Sequence, residues 1–206
     1  VSSDSLSGFS FVPPSIGAAG PLTGRRFTLA DAKPLYDAVI ASQAELVPWM
    51  AWAKNYRLDM ATAFVRDNTV TKDTKVNEVS YVACDDQHPF LGSFGFHGRL
   101  GPGELEIGYS VNSRCTRRGI ATTMAALLSE AAFTIPGIEA IEIHHDRANH
   151  ASGGIPMRLG YQRIGFQERE PEAPGEEGIE VLWRMKRGDW PTSPGAKLLT
   201  SIRQSA

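Results

Sequence analysis

The sequence predicts a mixed α/β fold: a central, mostly antiparallel sheet with flanking helices. Three observations carry that prediction. Residues 104–133 change hydrophobic period midway: Leu105, Ile107, Tyr109 and Val111 alternate with Glu106, Gly108 and Ser110, as in a strand with one polar face. Ile120, Met124, Leu127, Leu128 and Ala131 then recur at three- and four-residue intervals, as on one stripe of a helix. Upstream, residues 78–84 and 90–97 read as strands joined by short turns at Asp85, Asp86 and Pro89 and at Gly101-Pro102-Gly103, which implies an antiparallel meander. Downstream, residues 138–145 form a strand-like run after the helix, which predicts a strand parallel to the central one.

The remaining elements follow in order. Residues 1–21 mix Ser, Gly, Pro and Ala without a period and read as a loosely ordered arm. Residues 22–29 suit a first strand, and Asp31 is placed to cap a helix carrying Leu35, Val39 and Ile40, with Pro34 in its first turn. Trp49 and Trp52 flank a connecting segment after Pro48, where composition alone favours core packing. A helix over 58–68 carries Met60, Ala61, Phe64 and Val65 on one stripe. In the strand 138–145, Ile141 and Ile143 face one way and His144 the other. Pro156 predicts that the next helix begins near Ser152 or Gly153, or else kinks. The last strand places Ile179, Val181, Trp183 and Met185 on one face, after an acidic hairpin loop at 171–178. Residues 188–206 read as a C-terminal tail.

Composition narrows the function. A chain of 206 residues with 42% hydrophobic content can build one sizeable core, read as a single domain over 22–187. The net charge of −2 argues against a nucleic-acid or anionic-membrane partner. No apolar run approaches about 20 residues, and residues 1–10 show no targeting pattern, so a cytoplasmic protein is expected. Cys84 and Cys115 form neither a disulfide framework nor a metal-ligand pattern, so no metal is expected. Both are expected as free thiols, with Cys115 the more reactive beside Arg114, Arg117 and Arg118.

The turn from Ser113 to Gly119 joins strand to helix with three arginines and a glycine. Free N–H groups and the positive end of the helix dipole meet there, which makes it an anion site suited to phosphate. It is spelled neither as a P-loop nor as a dinucleotide fingerprint.

Four marks stand in order: Glu106-Ile107-Gly108-Tyr109, Arg118-Gly119-Ile120-Ala121, Asn149-x-x-Ser152 and Leu159-Gly160-Tyr161. With them the chain resembles the RimJ/RimL-like branch of the GNAT superfamily of N-acetyltransferases over residues 22–187. The resemblance implies the GNAT fold, a sheet splayed between its fourth and fifth strands, with acetyl-CoA or another acyl-CoA in the opening. It assigns CoA contacts to Val111, Arg117, Arg118, Gly119, Ile120, Ala121, Thr122, Asn149 and Ser152. The segment from Leu46 to Trp52 is similar to one beside the acceptor cleft, which makes Trp49 and Trp52 acceptor-wall candidates. Three departures stand out: Thr116 at the first loop position, Arg117 where a small residue is common, and Gly153-Gly154-Ile155-Pro156 in the helix flanking CoA.

Acyl transfer to an amine requires a neutral amine, donors for the developing oxyanion and a proton for the leaving thiolate. Glu106, on the strand's polar face, is the base candidate, and a solvated or ion-paired carboxylate is an equal alternative. Ser152 is the candidate donor to the sulfur, with helix capping as its competing role. No motif marks His97, His144, His145 or His150 as a base. The leading expectation is transfer of an acetyl or other short acyl group to a protein or peptide N-terminal α-amine. Small-molecule or antibiotic amines, a succinyl-CoA donor and a non-catalytic CoA sensor are the alternatives. A homodimer is compatible with the sequence.

Overall fold

The computed structural model describes residues 9–69 and 75–205. Its elements run β1 (Ala18–Ala19), β2 (Leu22–Arg26), α1 (Ala32–Ala41), α2 (Gln43–Leu46), α3 (Leu58–Asn68), β3 (Glu78–Cys84), β4 (Gly92–His97) and β5 (Glu104–Val111). Then come α4 (Ile120–Ala132), β6 (Ala140–Asp146), α5 (His150–Leu159), β7 (Gln162–Glu168), β8 (Ile179–Lys186) and α6 (Pro194–Gln204). The described strands form one sheet in the order β1-β2-β3-β4-β5-β6-β8-β7. All pairings are antiparallel except that of β5 with β6, so the meander and the parallel crossover both stand as expected.

The parallel pairing is short. It covers Glu104, Leu105 and Glu106 against Ala140, Ile141 and Glu142, after which the two strands part. Past that point each keeps its outer neighbour, β5 pairing with β4 from Glu106 to Val111 and β6 with β8 throughout. The sheet therefore opens as a V, and the short β1 at its edge makes the splayed pair the fifth and sixth strands here.

Alternation decides which residues face which layer. In β3, Val79, Tyr81 and Ala83 enter one apolar cluster and Val82 the other. The first cluster holds the α4 stripe of Ile120, Met124, Leu127, Leu128 and Ala131 against Leu105, Ile107, Ile141 and Ile143. The second joins α1 and α3, through Leu35, Val39, Ala61 and Val65, to Phe27 and Phe90. No described helix is long and apolar enough to cross a membrane.

Several expectations need correction. Asp31 does not cap α1. Its buried carboxylate accepts from the Thr28 N–H at 2.8 Å and is held by the Arg25 guanidinium at 2.7 and 2.8 Å. Burial alone would raise its pKa, but Arg25 and Thr28 outweigh burial and hold it below the ordinary carboxylate range. The arm is not loose over 9–21: Phe11 and Val76 exchange backbone hydrogen bonds of 2.9 Å, and Phe11, Ile16 and Ala19 are buried. Residues 1–8 of the arm lie outside the described residues. Nor is the C-terminal segment a tail, because Trp190 and Leu199 enter the main core. Ser193 caps α6 by accepting from the Ala196 N–H at 3.1 Å, and Pro194 opens its first turn. Cys115 is buried in the core, which puts its thiol out of reach of reagents whatever its charged neighbours.

The helix α5 also differs from expectation, since it begins at His150 and continues through Pro156. Asn149 caps it, its Oδ1 accepting from the Ser152 N–H at 3.1 Å. Proline lacks the N–H that would bond the carbonyl four residues back, here that of Ser152. The Tyr109 hydroxyl donates to that carbonyl at 3.2 Å, so β5 supplies the hydrogen bond that the helix cannot. Gly153 has its own reason, because a Cβ there would come within 2.7 Å of the His145 ring.

Tyr109→Phe strips the Ser152 carbonyl of its donor and should cost about 1–3 kcal/mol. Pro156→Ala restores a helical N–H, so the double variant should recover part of that loss. Urea unfolding of the two single variants and the double variant measures the coupling, and strictly additive losses would remove the proposed link.

Candidate active site

The loop between β5 and α4 is built by backbone geometry. Asn112 accepts from the Arg114 N–H at 3.1 Å and starts a 3-10 turn over Ser113–Cys115. The chain then passes through two left-handed residues, Arg117 (φ 61°) and Gly119 (φ 76°), before α4 begins. Thr123 is the first residue to bond back, its N–H donating to the Gly119 carbonyl at 2.9 Å. The N–H groups of Ile120, Ala121 and Thr122 are left as the open first turn of a helix, the arrangement that binds phosphate. A Cβ at Gly119 would meet nothing within 4 Å, so the glycine serves the left-handed turn and ligand approach rather than packing.

Side chains complete the loop unevenly. The Thr116 hydroxyl donates to the Ser113 carbonyl at 3.0 Å, so it is engaged within the turn. Arg118 lies 3.4 Å from Asp85 in the β3–β4 turn. Arg158, which the motif reading missed, reaches from α5 to within 3.4 Å of the Thr122 hydroxyl. Sequence spacing could not show it, since only the packing of α5 on α4 brings Arg158 to this helix end. Val111 lies at the end of β5, opposite Gly92.

The opening of the V is a cleft of about 650 Å³ whose lining includes Glu106, Tyr109, His144, Asn149 and Ser152, with Trp49 at its edge. The Ser152 hydroxyl lies 3.1 Å from the Tyr109 hydroxyl. Burial pushes the Tyr109 pKa up to about 12, so this pair is protonated at neutral pH.

Glu106 is only 4% exposed, so it is not a solvated carboxylate. Arg99 grips both its oxygens, Nε at 2.6 Å and Nη2 at 2.5 Å. His144 Nδ1 stands 3.8 Å from Glu106 and 3.7 Å from Glu180, while its Nε2 is 2.5 Å from Glu142. Burial opposes charge on His144, but Glu142, Glu106 and Glu180 outweigh it and raise its pKa above the ordinary histidine value. His145 is the opposite case: Trp183 donates to its Nε2 at 3.0 Å and its ring faces Gly153, and burial lowers its pKa. Arg99 also escaped the sequence reading, and His144 is read there only as a histidine that no motif marks as a base. Neither belongs to a motif: Arg99 reaches Glu106 from the β4–β5 turn, and His144 gathers Glu142 of its own strand with Glu106 and Glu180 of its neighbours.

A second cavity, of about 450 Å³, adjoins the cleft and shares Met50, Gly108 and Tyr109 with it. Trp52 lines this cavity and not the cleft, so the two tryptophan candidates serve different spaces. Glu106, Asn149 and Ser152 thus meet on one cleft, and Arg117 to Thr122 form the loop at the start of α4.

A family model described as an acetyltransferase (GNAT) domain matches residues 22–162. The chain belongs to the GNAT family. Its fold is shared with Mycobacterium smegmatis RimJ, solved in complex with CoA-disulfide, at 22% identity and a TM-score of 0.72 over 96% of this chain and 97% of that one. RimL, a ribosomal L7/L12 alpha-N-protein acetyltransferase solved with coenzyme A, aligns at 16% identity and a TM-score of 0.71 over 85% and 97% of the two chains. The microcin C7 self-immunity acetyltransferase MccE, solved with acetyl-CoA and AMP, aligns at 16% identity and 0.71 over 84% and 98%. No curated protein sequence matches the chain. The GNAT match ends at Gln162, so the β7–β8 hairpin that brings Glu180 to His144 lies beyond it.

Because His144 binds its proton more tightly folded than unfolded, its charge stabilises this GNAT domain fully below about pH 6.5. That contribution is lost as pH rises through the raised folded value. His144→Gln should therefore lose most stability relative to wild type near pH 6, and the gap should narrow towards pH 9. Denaturant titrations across that range read the slope; a gap that is constant with pH would mean His144 is neutral throughout.

Proposed function

We propose that the protein is an acyl-CoA-dependent N-acyltransferase that moves an acetyl or other short acyl group to a primary amine. A protein or peptide N-terminal α-amine is the leading acceptor class. The observation that carries this reading is the open first turn of α4 together with a cleft holding Glu106 and the Ser152–Tyr109 hydroxyl pair. Residues 120–122 offer N–H groups to a diphosphate, with Arg118 and Arg158 as neighbouring cations. The divergence of β5 and β6 leaves the backbone of Ile107–Val111 unpaired on the β6 side, available to an extended, amide-bearing arm.

Each cleft residue has a chemical part. Ser152 delivers a proton or hydrogen bond to the departing sulfur, with the Tyr109 hydroxyl 3.1 Å behind its Oγ to position it. Glu106 orients the incoming amine and receives its proton, directly or through water. The Arg99 guanidinium holds both carboxylate oxygens in place. An α-amine, which costs about 1.4 kcal/mol to deprotonate at pH 7, asks less of any base than a lysine, which costs nearly 5.

Screening acyl-CoA donors against N-terminal peptides, lysine peptides and small amines, with thiol release and product mass as readouts, tests the reading. Donor binding without transfer to any amine would favour the CoA sensor, and succinyl transfer would redefine the donor.

Gly119→Glu should abolish CoA binding in calorimetry, because it sets a carboxylate where a diphosphate must approach. Open space around the position lets the variant fold apart from local left-handed strain. Unchanged affinity would remove the diphosphate assignment. Glu106→Gln should lower kcat while leaving CoA affinity nearly intact, with the deficit shrinking as pH rises and the solution supplies neutral amine. Equal rates at pH 7 would leave Glu106 a structural partner of Arg99.

A further inference from the structure

We propose that the 450 Å³ cavity beside the cleft is an acceptor subsite for a flat apolar group. On the acyltransferase reading, on which this rests, the preferred acceptor is a peptide whose first residue is aromatic.

Continuity is the first argument. Met50, Gly108 and Tyr109 line both spaces, and Gly108 lies two residues along β5 from Glu106 on the same face. An amine at Glu106 therefore has its nearest substituent at the entrance to the second cavity.

The floor is the second. Gly95 and Gly108 are direct partners across β4 and β5, and the next pair on that face is Ser93 with Ser110. The sheet is thus stripped of side-chain bulk where the cavity sits. The two glycines differ in their need. A Cβ at Gly95 would lie 2.4 Å from the Val79 carbonyl oxygen, so the backbone demands glycine there. A Cβ at Gly108 would meet only the His97 ring, at 2.8 Å.

The walls are the third. Trp52 packs 5.4 Å from Tyr56, which stacks at 6.4 Å on Tyr36, so the outer wall is a braced row of rings. Met60 and Phe64 from α3 close the other side. Trp52 is nonetheless 45% exposed, an aromatic surface at the cavity mouth that an apolar ligand would cover. Glu78, the one carboxylate among the described lining residues, is already engaged 3.4 Å from His97. A polyamine would find little to bind there. The volume falls within the roughly 300–1,000 Å³ of ligand pockets, which an alanine or serine side chain would leave empty and an indole or phenol would occupy.

The test compares peptides identical except for Ala, Ser, Leu, Phe or Trp at the first position, with acetyl-CoA and the full chain. Phe and Trp peptides should exceed Ala by about 10- to 100-fold in kcat/KM, mostly through KM. Met60→Trp fills the cavity and should erase the preference while Ala-peptide turnover and CoA affinity persist. Trp52→Ala, at an exposed position, should weaken the preference without a folding risk. Direct titration of phenylalanine amide into wild type and Met60→Trp reads the subsite without turnover. Absence of transfer to every amine would overturn the acyltransferase reading, and the amide titration would still decide the subsite. Ala or Ser peptides matching Phe, or amide binding unchanged in Met60→Trp, would overturn the subsite.

Discussion

Every functional feature of this chain depends on β5 and β6 parting after a single short stretch of parallel pairing. The last paired residues are Glu106 and Glu142, two buried carboxylates side by side in register. Like charges in that position repel. The structure meets the repulsion by giving each its own guanidinium, Arg99 to Glu106 and Arg184 to Glu142, and by placing His144 between them. A parallel ladder that continued past this point would close the cleft. Instead the charged partners take up one face of the fork, and Tyr109 reaches from β5 to α5 on the other.

That arrangement assigns costs and roles together. A buried carboxylate that loses its partner leaves an uncompensated charge, so the Arg99 and Arg184 contacts matter more for what their removal would expose than for the attraction itself. The hairpin loop joins the scheme from the far side, because the Gly175 N–H donates to the Pro48 carbonyl at 2.8 Å and ties the roof of the cleft to the segment carrying Trp49. A Cβ on Gly175 would meet that carbonyl at 2.7 Å, so the contact excludes any larger residue.

Much of this was legible in the sequence wherever a period repeated. The alternation through Leu105, Ile107 and Tyr109 and the α4 stripe of Met124, Leu127 and Leu128 give strand and helix where they stand, because each element turns its apolar residues to the same core. Residues without a period were misjudged. Phe11 and Ile16 enter the core singly, from a segment that pairs with loops, and no local pattern marks such burial. The last helix did leave a signal in Ser193 and Pro194, a capping residue followed by a first-turn proline. Pro156 misled for a different reason: the rule about a missing donor is local, and the Tyr109 hydroxyl that satisfies the Ser152 carbonyl comes from a strand 43 residues away in sequence. Arg99, His144 and Arg158 act through contacts between elements, which spacing along the chain does not encode.

The packing of α6 has a consequence for how the chain acquires its structure during synthesis. Leu199 shares a cluster with the α4 residues Leu127 and Leu128, and with Ile16 and Leu22 from the earliest described part of the chain. A Cβ on Gly20 would touch Ile202, so the beginning and the α6 segment are in direct contact. While a ribosome is still making residues before α6, the outer side of α4 stays uncovered, and the apolar surface there is open to chaperones or to other nascent chains. The domain therefore cannot close its core progressively from one end; its final locking step waits for a segment that lies beyond the cleft residues it stabilises.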